Sequence, residues 1–196
     1  MKTLSKLGLT AVIAFGMAVD ASALLITPTT TPQWTGTDNS NLNASQIDAI
    51  VDPLNLLGLT LTELYKQDVA NKGEAQPADQ GAFAGSYQTT FSPDPEDPAN
   101  AFIDYVSGPY IANFTKLYLY VKDGNQNPAF YIFDISGWNG TDDLNVQGFW
   151  PAQGAISHVT ILGGGGTTSV PDGGATIALL GLALGAVGYV RRKLTA

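Results

Sequence analysis

The sequence predicts an all-β fold: an antiparallel β-sandwich, with a jelly-roll-like barrel as the alternative, one short N-terminal helix and a C-terminal transmembrane helix. Three observations lead there. Runs of β-branched and aromatic residues alternate with polar ones through the middle of the chain. Gly, Pro and Asn interrupt these runs too often for long helices. An uncharged stretch of near-spanning length stands just before the chain end.

The first element is an export signal. Lys2 and Lys6 form a basic start, residues 7–19 an apolar run too short for a comfortable membrane span, and Ala21-Ser22-Ala23 offers small residues at both positions that a signal peptidase reads. Cleavage is expected after Ala23, so the mature chain begins at Leu24 and residues 1–23 leave the fold. Residues 24–32 contain the proline-spaced run Thr27-Pro28-Thr29-Thr30-Thr31-Pro32, which predicts an extended lead-in. The domain itself is expected over 33–162.

One helix follows. Ser45 can cap it, Asp48 sits three residues later, Ile47, Ile50 and Val51 recur at helical spacing, and Pro53 closes it. Strands then dominate. Phe83, Tyr87, Thr89 and Phe91 alternate with smaller or polar residues. Leu117, Leu119 and Val121 alternate with Tyr118, Tyr120 and Lys122. The turn-rich Lys122-Asp123-Gly124-Asn125 then reverses the chain into residues 129–135, with Tyr131, Phe133 and Ile135 on one face and Phe130 and Ile132 on the other. Residues 156–161 close the domain as a last strand. Gly163-Gly164-Gly165-Gly166 opens a linker over 163–169, which the glycine run predicts to be a flexible spacer.

The end of the chain, 170–196, carries three signals in order. Val170-Pro171-Asp172-Gly173-Gly174 disfavours helix and predicts an extended peptide. Residues 175–190 carry no charge; with the two preceding glycines they make a helix of about 27 Å against a hydrocarbon core of roughly 30 Å. Arg191-Arg192-Lys193 is a basic stop that stays cytoplasmic, which leaves the body outside, consistent with the N-terminal signal.

This order of motif, single span and basic cluster resembles the PEP-CTERM class of bacterial sorting signals. The usual Pro-Glu-Pro is here Pro171-Asp172-Gly173, so the segment looks like the V-P-D-type variant. The resemblance implies recognition and cutting near the motif by exosortase, a membrane transpeptidase, in Gram-negative bacteria that make exopolysaccharide, with the span serving as a transient anchor. The body also resembles an exported β-domain carried by such proteins, through Leu64-Tyr65-Lys66, Tyr120-Val121-Lys122-Asp123-Gly124, Tyr131-Ile132-Phe133-Asp134-Ile135, Gly137-Trp138-Asn139-Gly140 and Ile156-Ser157-His158-Val159. That likeness implies a β fold and an outside destination, and no catalytic chemistry.

Composition narrows the chemistry. A net charge of -8 argues against nucleic acid, which needs clustered Lys and Arg. With no cysteine, disulfides, thiolate metal sites and Cys nucleophiles are excluded. The single histidine, His158, sits in a strand pattern without a G-x-S-x-G elbow, so a structural role is expected rather than a Ser-His-Asp relay oriented by Asp134 or Asp104. Asp94, Glu96 and Asp97, in Ser92-Pro93-Asp94-Pro95-Glu96-Asp97-Pro98, and Asp142-Asp143 are the acidic groups that a glycosidase pair or calcium would draw on; the proline-broken run reads more simply as a rigid solvated connector. Trp34, Trp138 and Trp150 are the candidate sugar-stacking residues, and Tyr118 with Tyr120 a candidate aromatic stripe, against the alternative that each covers the core or a sheet face. No cofactor and no metal set is expected.

Together these features predict an exported, exosortase-sorted protein of the cell surface or extracellular matrix, non-enzymatic and structural or adhesive within exopolysaccharide. A carbohydrate-binding module is the second reading and a glycan-active hydrolase the third. The expected partners are signal peptidase and exosortase during processing, the membrane through the C-terminal helix, and exopolysaccharide.

Overall fold

A computed structural model describes residues 23–31, 33–123, 126–150 and 155–166. These residues form nine strands and one helix: β1 (Leu24–Ile26), β2 (Gln33–Gly36), α1 (Ala44–Val51), β3 (Thr62–Asp68), β4 (Tyr87–Ser92), β5 (Asn100–Tyr105), β6 (Lys116–Asp123), β7 (Phe130–Asp134), β8 (Leu144–Val146) and β9 (Ile156–Gly164). They make two sheets. One has the order β1-β8-β5-β4 and the other β2-β7-β6-β9-β3.

The core follows from the period of two along each strand. Tyr87, Thr89 and Phe91 of β4 are buried while the residues between them are exposed, so this sheet faces the core on one side. On the facing sheet, Leu117, Leu119 and Val121 of β6, Phe133 of β7 and Val159 and Ile161 of β9 join Ile26, Phe91, Ala101, Ile103, Leu144 and Val146 of the first sheet in one buried cluster. The expected hairpin forms, with Leu119 opposite Phe133, Tyr120 opposite Ile132 and Val121 opposite Tyr131.

The second sheet is buried on both faces. Its other side buries Tyr118, Tyr120, Phe130, Ile132 and Leu162 beneath Ile47 of α1 and Leu61, with Trp34, Leu42, Ile50 and Val51 packed around them. The helix is therefore a cover: the 3.6-residue period that lines up Ile47, Ile50 and Val51 turns one stripe onto the sheet. Its N-cap is Asn43 rather than Ser45. Asn43 Oδ1 accepts from Gln46 N at 3.0 Å, and Asn43 N donates to Gln46 Oε1 at 2.9 Å, a reciprocal capping box. Ser45 Oγ donates to the same Asn43 oxygen at 2.7 Å, so the capping carboxamide had already claimed it.

Four further expectations shift. The lead-in over 24–32 begins inside the fold, because β1 adds to the first sheet; its pairing with β8 is parallel, so the architecture is not purely antiparallel. A parallel neighbour is possible here because the long stretch between β1 and β8 supplies the crossover. Phe83 is not in a strand. It fills the core from a turn held by Phe83 N donating to Leu64 O at 2.8 Å, and the positive φ of Gly81 and Gly85 breaks the extended run on either side.

The linker expected at 163 starts later, since Gly163 and Gly164 are the last residues of β9. A Cβ on Gly163 would come 2.6 Å from Leu64 Cδ1 and 2.7 Å from Phe114 Cδ1, and one on Gly166 would come 2.2 Å from Phe114. The glycines are there because a ring lies on them. Among the described residues no helix is long and apolar enough to cross a membrane. The predicted signal up to Ser22, the turn at 124–125, the sorting motif, the span and the basic stop lie outside the described residues.

Candidate functional site

The sole histidine is central to the second sheet. His158 of β9 stands opposite Asp68 of β3 on one side and Lys122 of β6 on the other. It is 3% exposed, and its ring lies 5.4 Å from that of Tyr120. Its Nδ1 is 3.9 Å from Asp68 Oδ1, beyond hydrogen-bond reach, and that oxygen pairs with Lys66 Nζ at 2.9 Å. Burial first, then the Lys66 and Lys122 ammoniums, push the imidazole down to about 4, against a smaller opposing pull from Asp68. His158 is thus a neutral ring at neutral pH.

Neither carboxylate named from the sequence as its orienter is beside it. Asp134 pairs with Lys116 Nζ at 2.7 Å and accepts from Ser136 N at 2.9 Å; although burial opposes it, these partners hold the carboxyl below its ordinary range. Asp104 belongs to β5 in the other sheet, and burial followed by the Asp143 charge raises its carboxyl. The carboxylate that does face His158 is Asp68, which pattern alone did not single out. The neighbouring hydroxyl, Ser157 Oγ, donates to Lys122 O at 3.1 Å.

Lys122 is the other unusual group on this row. It is 1% exposed, its Nζ donates to Asp123 O, and burial lowers its pKa against the raising charges of Asp123 and Asp38. The sequence hint was its place in the Tyr118, Tyr120, Lys122 alternation, which sends it to the face that α1 covers.

A concave site lies elsewhere. A cleft of about 410 Å³ is lined by Leu24, Asp134, Trp138, Asn139 and Asp142 among others. Its wall is a tight corner after β7. Asn139 Oδ1 accepts from Thr141 N at 2.9 Å and Asp142 N at 2.8 Å, and Trp138 Nε1 donates to Asp142 O at 2.7 Å. Gly140, at φ 83°, lets the backbone pass so close that a Cβ there would sit 1.9 Å from Ile111 O. Tyr87 locks the corner: its hydroxyl donates to Gly140 O at 2.7 Å and accepts from Ile111 N at 2.7 Å. β1 joins the same wall, with Leu24 N donating to Asp143 O at 2.8 Å. Gly137-Trp138-Asn139-Gly140, noted in the sequence as a landmark, is therefore a structural corner beside the cleft.

The three tryptophans do not form one platform. Trp34 is half-buried on the helix-covered face, edge-on to Tyr118 at 5.8 Å. Trp138 is 7% exposed within the inter-sheet core. Trp150 is half-buried against Tyr131 at 5.4 Å, with Nε1 donating to Pro128 O at 2.9 Å. The Tyr118 and Tyr120 stripe is closed to any sugar, because both rings lie beneath the helical cover. Burial, the main cause, pushes both phenols up to about 12.

The acidic run forms the connector between β4 and β5. Residues 93–97 are exposed, and Glu96 Oε1 accepts from Gly73 N at 2.8 Å. β4 is an edge strand, and charge at its end opposes pairing with another chain. Among the described residues no group of three or more His, Asp or Glu side chains converges as a metal site.

Residues 169–194 match the VPDSG-CTERM motif. Within the match, Gly173 stands where the motif's name reads Ser. The chain therefore carries a C-terminal sorting signal of the PEP-CTERM kind, the mark of an exported precursor that passes the membrane. No curated protein and no solved structure matches the chain.

Proposed function

We propose that this chain is an exosortase substrate whose β-sandwich body is delivered to the cell surface or the extracellular matrix, where it acts by structure or adhesion within exopolysaccharide and not as an enzyme. The match of residues 169–194 to the sorting motif carries this reading. The physical order of the segment supports it. Pro171 and the following glycines disfavour helix, and the uncharged stretch with its basic stop has the sequence of a segment that would keep the motif at the outer surface while it is cut. A permanent anchor needs only the span and the stop.

The test is intact-mass analysis of matrix protein from the native host. A chain ending close to residues 171–174 is expected, and Pro171→Ala with Asp172→Ala leaves uncut precursor in the membrane. Matrix protein that retains Arg191, Arg192 and Lys193 refutes the sorting reading. The cleft at Trp138, Asn139 and Asp142 supports a second reading, carbohydrate binding. Its test is retention on the host's own polysaccharide, lost in Asp142→Ala and kept in a surface variant such as Lys72→Ala.

A further inference from the structure

The chain leaves the described fold at one end of the five-stranded sheet. β9 runs to Gly164 there, and β3 begins beside it, with Thr62 opposite Gly163. The segment before β3 stands at the same end: a Cβ on Gly165 would lie 2.9 Å from Leu59 Cδ2, and one on Gly164 would lie 3.1 Å from Leu61 Cδ2. Residues 53–61 read P-L-N-L-L-G-L-T-L, without a charge. Leu61 is buried, but Leu54, Leu56 and Leu57 are 74%, 80% and 46% exposed. The turn is built to hold them outward. Asp52 at the helix end accepts through its carboxylate from Leu56 N at 2.9 Å and Leu57 N at 2.8 Å, and its carbonyl accepts from Asn55 N at 2.9 Å. Three leucines fixed in water on one turn mark a surface that is covered in use.

We infer that the Leu54, Leu56 and Leu57 turn is a lipid-docking surface that beds the unprocessed precursor on a zwitterionic phospholipid interface. The inference rests on the reading of residues 175–190 as a membrane span. Only residues 167–174 separate Gly166 from that stretch, and they reach at most roughly 30 Å however they run. The bilayer is thus tethered to the end of the domain that carries the leucines, at a high effective concentration. The uncharged segment fits the apolar edge of the headgroup region, and a chain of net charge -8 is repelled by anionic lipid, which selects a zwitterionic surface. Docking would hold the exit end of β9, and the Val170 to Gly174 motif behind it, against the membrane. Three side chains bind weakly without the tether, so cutting at the motif also releases the body.

The chain has no cysteine, so single labels are clean. The full chain is reconstituted in phosphatidylcholine vesicles with an environment-sensitive fluorophore at Leu56→Cys, or at Lys72→Cys beyond the opposite end of β3. Vesicle flotation reports the span. The Leu56 label is expected to be quenched by nitroxide-bearing lipid and shielded from aqueous iodide, with the reverse at Lys72. Adding Leu54→Ser and Leu57→Ser lowers the lipid-docked fraction by about tenfold or more. A chain that floats while its Leu56 label is as open to iodide as the Lys72 label overturns the docking surface and leaves the sorting reading standing. A label shielded from both quenchers means that protein, not lipid, covers the leucines, and also overturns it. A chain that fails to float removes the span and the inference together.

Discussion

Tyr87→Phe is the sharpest test of how the corner beside the cleft is held. The substitution keeps the ring and its neighbours, Tyr65 at 5.5 Å, Tyr105 at 5.7 Å and Trp138 at 5.8 Å. It deletes one oxygen that serves two buried backbone groups, the carbonyl of Gly140 and the N–H of Ile111. Ile111 is fully buried and Gly140 is buried beside it, so water does not replace the lost partner. Each orphaned backbone group costs about 1–3 kcal/mol, which gives a loss of about 2–6 kcal/mol for the two. Tyr65→Phe is the matched control. Its hydroxyl meets one side-chain hydroxyl, that of Thr89 at 2.8 Å, so the loss of a single hydrogen bond, about 1 kcal/mol, is expected. Urea unfolding of both variants, with an unchanged slope, reads the difference. If Tyr87→Phe costs no more than Tyr65→Phe, the corner is not held by this hydroxyl and the argument fails.

Acid should weaken the domain through His158: its folded pKa, about 4, lies below the ordinary 6.5, so the stability it contributes is full above pH 6.5 and is lost as pH falls toward 4. Imidazole proton shifts followed by NMR check this, and a ring titrating near 6.5 refutes the buried neutral state. Alkali acts in the opposite sense through Tyr65, Tyr87, Tyr118 and Tyr120, each raised to about 12 mainly by burial, so their contribution is full below pH 10 and is lost as pH rises through about 12. An ultraviolet phenolate titration should show these four phenols ionising late, and a transition near 10 for them contradicts it. Gly163→Val should destabilise the domain by about 1–3 kcal/mol, because the new methyls meet Leu64 and Phe114, whereas a free spacer would accept it without loss in thermal unfolding.

The elements legible in the sequence are those whose signal is local. Residues 117–121 and 130–135 alternate in the strand period, the turn residues between them give the reversal, and β6, β7 and β9 follow. The helix at Ile47, Ile50 and Val51 was equally clear, though its cap was displaced because Asn43, Ser45 and Gln46 all offer capping chemistry within one turn. The sorting signal was legible because it works as linear sequence, through order and hydropathy, and needs no fold to be read.

The rest was decided by partners distant in the chain. β1, three residues long, becomes a strand only because β8 lies beside it. Four consecutive glycines look like a spacer until Leu59, Leu61, Leu64, Phe114 and Thr115 claim the space that side chains would fill. Tyr118 and Tyr120 alternate as an outward face should, yet α1 crosses that face and buries them, since the period of a strand says which residues share a side and not what lies against it. The same limit applies to His158. Sequence identified it as a strand residue; only the register of β9 between β3 and β6 put Asp68 on one side, Lys122 on the other and water out of reach.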